Sequence, residues 1–181
     1  LCSKRYACHD KHGGEKMIPA KIPDIKKILY ATDLSENARY AFGYAMSLAN
    51  RYGAGITILH VLESSPSSES LVTNVIGEKK WNELRKANEE EIVKTIKERL
   101  QNFCDEVSRD LPECPFITDQ SVVKIGNPAD EIMDLIETGD YDLVVMGAHG
   151  RGTIGSAMMG SISRRVVRRS KKPVLVIRLP K

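Results

Sequence analysis

Apolar positions along this chain switch repeatedly between a short continuous run and a helical spacing. "KKILYAT" (26–32) is an apolar run closed by a turn signal, which predicts a strand covered on both faces. "SENARYAFGYAMSLANRYG" (35–53) follows, with Ala38, Phe42, Ala45 or Met46, and Ala49 at helical spacing. Ser35 is a suitable N-cap and Gly53 a suitable C-terminal stop. "GITILHV" (55–61) is a second strand, and a strand–helix–strand unit of this kind is parallel and right-handed. "ESSPSSES" (63–70) is a loop by composition. From about Glu78, a long helix carries Trp81, Leu84, Ile92, Ile96, Leu100, Phe103 and Val107 as its apolar stripe, until "LPECP" breaks it.

The second half repeats the alternation. "SVVKI" (121–125) is a third strand. In "GNPADEIMDLIETG" (126–139), Asn127 caps a helix, Pro128 takes its first position, and Ile132, Leu135 and Ile136 face inward. "YDLVVMG" (141–147) is a fourth strand, then come a glycine-rich stretch and a basic helix. "KPVLVIRL" (172–179) closes as a fifth strand. This order predicts an α/β three-layer sandwich around a parallel sheet. No internal repeat is visible, and 63–80 reads as an insertion within one domain.

The chain has 181 residues, of which 41% are hydrophobic and 28% charged, enough for one sizeable core. A net charge of +3 is too small to imply nucleic-acid binding by itself. No apolar run approaches the ~18 residues of a membrane span, and no secretion signal is seen. The four cysteines make no CxxC pair, so a reduced, cytoplasmic protein is expected. Residues 1–22 read as a disordered or expression-derived leader, and 23–181 as the domain. Cys2, Cys8, His9 and His12 match no common zinc spacing.

The candidate chemistry lies at two strand ends. In open parallel sheets, ligands bind beyond the carboxyl ends of the strands, where the strand order reverses. "ATD" (31–33) follows the first strand, and "GAHG" (147–150) follows the fourth. The glycine stretch runs into a helix at Gly160-Ser161, and a helix N-terminus offers unpaired N–H groups to a phosphate. Gly160 admits close approach, and Ser161 and Ser163 add hydroxyls. The stretch is neither a Walker loop, since no lysine follows Gly160, nor GxGxxG. On the residues alone it is a phosphate cradle or a flexible connection. Asp33 is a ribose or base contact, or a local turn former. His149 is an acid/base group or a locally bonded loop histidine. No catalytic triad or carboxylate pair names a reaction.

At these residues the chain resembles the universal stress protein family, in its ATP-binding branch. Gly147, Gly150 and Gly160-Ser161 fit the pattern G-x2-G-x9-G-[S/T], "ATDLS" resembles the end of the family's first strand, and "GNPADEI" its third strand-to-helix junction. The match runs from about Lys26 to Arg178, with Ala31 where the family often has proline. The resemblance implies a Rossmann-like sheet of the adenine nucleotide alpha hydrolase type, in the order 3-2-1-4-5. It implies ATP across the crevice, with Ala31, Thr32 and Asp33 beside the adenosine and Val61 lining the adenine pocket. Met146, Gly147, His149, Gly150, Arg151 and Thr153 would follow the ribose and phosphates. Gly160, Ser161, Ile162 and Ser163 would hold the phosphate tail, with Mg²⁺ or Mn²⁺ accompanying it. It further implies a nucleotide-dependent switch or sensor in the stress response, with little or no ATPase activity and an unidentified protein partner. It also implies a homodimer through the edge 173–179.

Two alternatives belong to other classes. Arg164, Arg165, Arg168 and Arg169 share a helix face that could meet nucleic acid, but no aromatic platform accompanies them, which favours a solvated face. A nucleotide-free adaptor is the other, and the intact glycine pattern argues against it.

Overall fold

The computed structural model describes residues 24–63, 78–110, 118–150 and 159–180. Strands β1 (Lys27–Thr32), β2 (Gly55–Glu63), β3 (Thr118–Gly126), β4 (Leu143–Gly147) and β5 (Val174–Ile177) form one parallel sheet in the order β3-β2-β1-β4-β5. Helices α1 (Glu36–Tyr52), α2 (Glu78–Asp110), α3 (Pro128–Thr138) and α4 (Ser161–Arg169) connect them. The predicted α/β architecture and strand order are present. No described helix is long and apolar enough to cross a membrane.

The continuous apolar strands split into two cores, because successive side chains point to opposite faces. Ile28 and Tyr30 of β1 join Ile56, Ile58, Val145 and Ile177 against α1 and α2. Leu29 and Ala31 join Leu59, Val144 and Met146 against α3 and α4. Burying both faces of β1 and β4 forces them to the middle of the sheet. Tyr30 anchors the first core: its hydroxyl donates to Ala38 O at 2.6 Å, and its ring lies 4.8 Å from Phe42. Burial pushes this phenol far above its ordinary pKa.

The local signals act as expected. Ser35 Oγ accepts from Ala38 N at 3.2 Å, and Gly53 ends α1 in the left-handed conformation at φ 64°. Asn127 Oδ1 accepts from Ala129 N at 3.1 Å, with Pro128 at the first helical position. Both Ala45 and Met46 are buried.

Two expectations need correction. The fifth strand covers only Val174–Ile177, because its partner β4 ends at Gly147, opposite Ile177. Leu179 therefore has no strand beside it and is exposed. In α2, Ile96, Leu100 and Val107 are buried, but Ile92 is 45% exposed. A 33-residue helix is about 50 Å long, against about 30 Å for a nine-residue strand, so it outruns the sheet. Among the described residues of the expected stripe, Ile96 is the first to reach the core. The side chains of Trp81 and Leu84, and the leader's cysteines and histidines, lie outside the described residues.

At the amino edge of the sheet, Asp142 Oδ2 accepts from Lys26 N at 2.9 Å and Lys27 N at 3.0 Å. These backbone bonds, that to Lys26 foremost, hold its carboxyl below the usual carboxylate range. A depressed folded pKa contributes stability that is present at neutral pH and lost as pH falls through that value. Asp142→Asn is expected to lower the neutral-pH melting temperature by about 2–4 °C, a solvent-screened effect of about 1 kcal/mol. The two proteins should draw together as pH falls through the folded pKa, and thermal melts from pH 7 to pH 2 check this.

Candidate functional site

The sheet order reverses between β1 and β4, so their following segments leave in opposite directions and open a crevice at the carboxyl edge. After β1 the chain makes a tight turn. Leu34 N donates to Thr32 Oγ1 at 3.0 Å, and Ser35 N to Asp33 Oδ1 at 3.1 Å. Between them Leu34 takes φ 62°, the one positive φ on a non-glycine residue among those described. Thr32 O is held in turn by His60 Nδ1 at 2.8 Å. This turn fixes the carboxylate of Asp33.

Opposite it, the chain leaving β4 is tied down by backbone groups. Ala148 N donates to Ile177 O at 2.7 Å, prolonging the β4–β5 pairing. Ala148 O accepts from Gly160 N at 2.9 Å, and Ser163 Oγ lies 2.9 Å from the same oxygen and 3.1 Å from Gly160 O. A Cβ on Gly160 would stand 3.1 Å from Ala148 O, so this glycine serves the fold as well as any ligand. A Cβ on Gly150 would stand 2.8 Å from Asp33 Oδ2. The glycine thus lets the loop close against the carboxylate. One oxygen of Asp33 forms the local turn, the second of its two sequence readings, and the other oxygen faces the loop.

These segments enclose a cavity of about 500 Å³, within the ordinary range of about 300–1,000 Å³ for small-molecule sites. Ala31, Thr32, Asp33, Val61, Met146, Gly147, His149, Gly150, Gly160, Ser161, Ile162 and Ser163 all line it. Arg151 and Thr153, the other two residues expected there, lie outside the described residues.

The cavity has two chemical ends. Ala31, Leu59, Val61, Ile132 and Met146 line it with apolar groups, suited to a flat ring. At the other end α4 begins at Gly160 with no side-chain cap, so its first-turn N–H groups are left for an acceptor. Ser161 is exposed there, whereas Ser163 is buried and its hydroxyl is occupied with backbone carbonyls. The arginines of α4 point to solvent, and Arg169 pairs with Asp130.

Sequence reasoning missed His60, Ile132 and Asn37. His60 is a buried polar residue near the end of an apolar strand, and that oddity was a usable signal. Ile132 was expected in the core and also lines the cavity. Asn37 had no signal, since it looks like any surface residue of a first helical turn. It is 6% exposed, and its Nδ2 donates to His149 O at 2.6 Å.

Comparison with known proteins gives a consistent picture. The family model described as "Universal stress protein family" matches residues 24–178. A universal stress protein of Thermus aquaticus is 30% identical over 153 residues, covering 84% of this chain and 98% of that protein. Universal stress protein MJ0577 of Methanocaldococcus jannaschii is 27% identical over 154 residues, covering 84% and 94%. The solved structure of MJ0577 superposes with a TM-score of 0.67 at 26% identity, covering 88% of this chain and 99% of that one.

Because the Ser163 hydroxyl bonds backbone carbonyls, its removal should be felt in the fold. Ser163→Ala is expected to cost about 1 kcal/mol, the worth of one buried hydrogen bond. Urea unfolding measures it, and an unchanged midpoint would leave the hydroxyl without a structural role.

Proposed function

This chain belongs to the universal stress protein family, and from that premise we propose that it binds ATP in the crevice between β1 and β4 and acts as a nucleotide-dependent switch or sensor. One observation carries the reading: a single cavity joins an apolar end to an uncapped helix N-terminus, with the Asp33 carboxylate at the end of β1 facing the glycine-bearing end of β4. An adenine ring suits the apolar end beside Val61 and Met146. Ribose hydroxyls suit Asp33. Phosphates suit the first turn of α4, where backbone N–H groups and the Ser161 hydroxyl meet anionic oxygens.

Mg²⁺ or Mn²⁺ would arrive with the triphosphate. Mg²⁺ keeps several waters and is held largely by phosphate oxygens, so the site needs no cage of protein ligands. Backbone N–H groups and hydroxyls at this end bind charge without moving a proton. That favours retention of the nucleotide over turnover.

Titration calorimetry with Mg-ATP should give a dissociation constant in the micromolar range or tighter, and phosphate release by the isolated protein should stay below about 1 s⁻¹. No heat and no displacement of labelled ATP would sink the proposal. Ser161→Glu separates binding from folding. An acid in the first turn favours the helix dipole by about 0.3–1 kcal/mol, so the melting temperature should hold or rise. The same charge repels phosphate, so ATP affinity should fall at least tenfold.

We also propose a homodimer through the β5 edge. β5 ends the sheet, and Val174, Leu175 and Val176 are only partly buried along an open backbone edge. A two-fold axis would pair two such edges antiparallel. Light scattering at tens of micromolar should report a dimer, and Val176→Pro should weaken it. A monomeric wild type would end this proposal.

A further inference from the structure

Asn37 carries a polar atom that the fold leaves unanswered. It occupies the first turn of α1, packed against the end of β4: a Cβ on Gly147 would stand 3.3 Å from its Nδ2. The carbonyl of His149 lies 2.6 Å from that nitrogen. A carbonyl only accepts, so the NH₂ must face it, and the side-chain oxygen is turned the other way. That oxygen is buried, and among the described residues no donor reaches it. Buried polar atoms in folded proteins are almost always paired, and an exception calls for a physical reason. Asn37 does not itself line the cavity, but it is bonded to His149, which does.

We propose that Asn37 is a positioning residue of the nucleotide site, clamping the His149 carbonyl through Nδ2 and offering Oδ1 to an O–H donor that arrives with the nucleotide. The proposal rests on the ATP reading above and adds a chemical selection to it. Phosphate oxygens have no proton to give, so the anionic end of a ligand cannot satisfy Oδ1. A hydroxyl can. It belongs either to the ribose or to a water that enters with the ligand, and it meets Oδ1 only as the loop shifts on binding, because that atom is otherwise closed off. The apo protein therefore holds the loop by one half of the carboxamide, and the loaded protein uses both halves.

The test titrates ATP, 2′-deoxy-ATP and 3′-deoxy-ATP against wild type, Asn37→Leu and Asn37→Asp. The leucine removes donor and acceptor, and the aspartate removes the donor while keeping acceptor oxygens. Both variants should lose at least tenfold in ATP affinity. On wild-type ¹⁵N-labelled protein, the Asn37 side-chain amide signals, identified by their loss in either variant, should shift when ATP is added. A residue held away from the bound nucleotide would not give that shift. If a deoxy analogue binds wild type about as weakly as the variants bind ATP, the donor is a ribose hydroxyl. If all three nucleotides bind wild type alike and the variants still lose tenfold, it is a trapped water. Wild type binding ATP, with both variants within twofold of it and the amide signals unmoved, overturns the role of Asn37 and leaves the nucleotide site standing. A wild type that binds no nucleotide overturns both. Should the variants fail to fold, triple-resonance assignment of the wild type identifies the Asn37 amide signals, and their shift with ATP decides alone.

Discussion

The carboxyl edge of this protein depends on one backbone junction, the residue Ala148. Its N–H reaches Ile177 O, its carbonyl accepts from Gly160 N–H, and Ser163 Oγ lies within hydrogen-bond distance of the same oxygen. Three elements meet there: the end of β4, the end of β5 and the start of α4. The residue is fully buried, so these bonds are made away from competing water. The consequence is geometric. The chain returning from the glycine stretch is pinned so that the first turn of α4 faces Asp33 and the end of β1 across the crevice. An uncapped helix start presents its N–H groups in one direction only when something fixes it, and Ala148 does so.

The sheet behind the junction supplies the rigidity. Because β1 and β4 are covered on both faces, neither can tilt without disturbing two cores at once. The turn after β1 stores a small strain at Leu34 and offsets it with two local side-chain bonds and the His60 contact to Thr32 O. The apolar end of the cavity is continuous with the second core, sharing Ala31, Leu59, Ile132 and Met146. Core packing and cavity shape are therefore set by the same residues at that end.

Much of this was legible before any coordinates. Strand and helix order followed from the change of period, and the caps at Ser35, Gly53 and Asn127 followed from residue type. Twelve of the expected site residues line one cavity, because the motif glycines and strand ends are local features of the chain. What stayed hidden was long-range. The length of β5 depends on where β4 stops, which no residue of β5 encodes. The exposure of Ile92 depends on how far a helix outruns a sheet. Asn37 and Ser163 have identities common on any helix surface, and only packing reveals that both hold backbone carbonyls of the glycine loop. The resemblance to a known family carried the order 3-2-1-4-5. Alternation alone gives a parallel sheet without saying which strands lie side by side.

The central claim is that a nucleotide lies between the end of β1 and the start of α4. Amide chemical-shift mapping of ¹⁵N-labelled protein with Mg-ATP tests it most directly. The account predicts saturable shifts at Asp33, Gly147, Gly150, Gly160 and Ser161, with the far end of α4 and the exposed face of α2 left unmoved. Shifts confined to the arginine face around Arg164, Arg165 and Arg168, or no saturable shift at all, would contradict it.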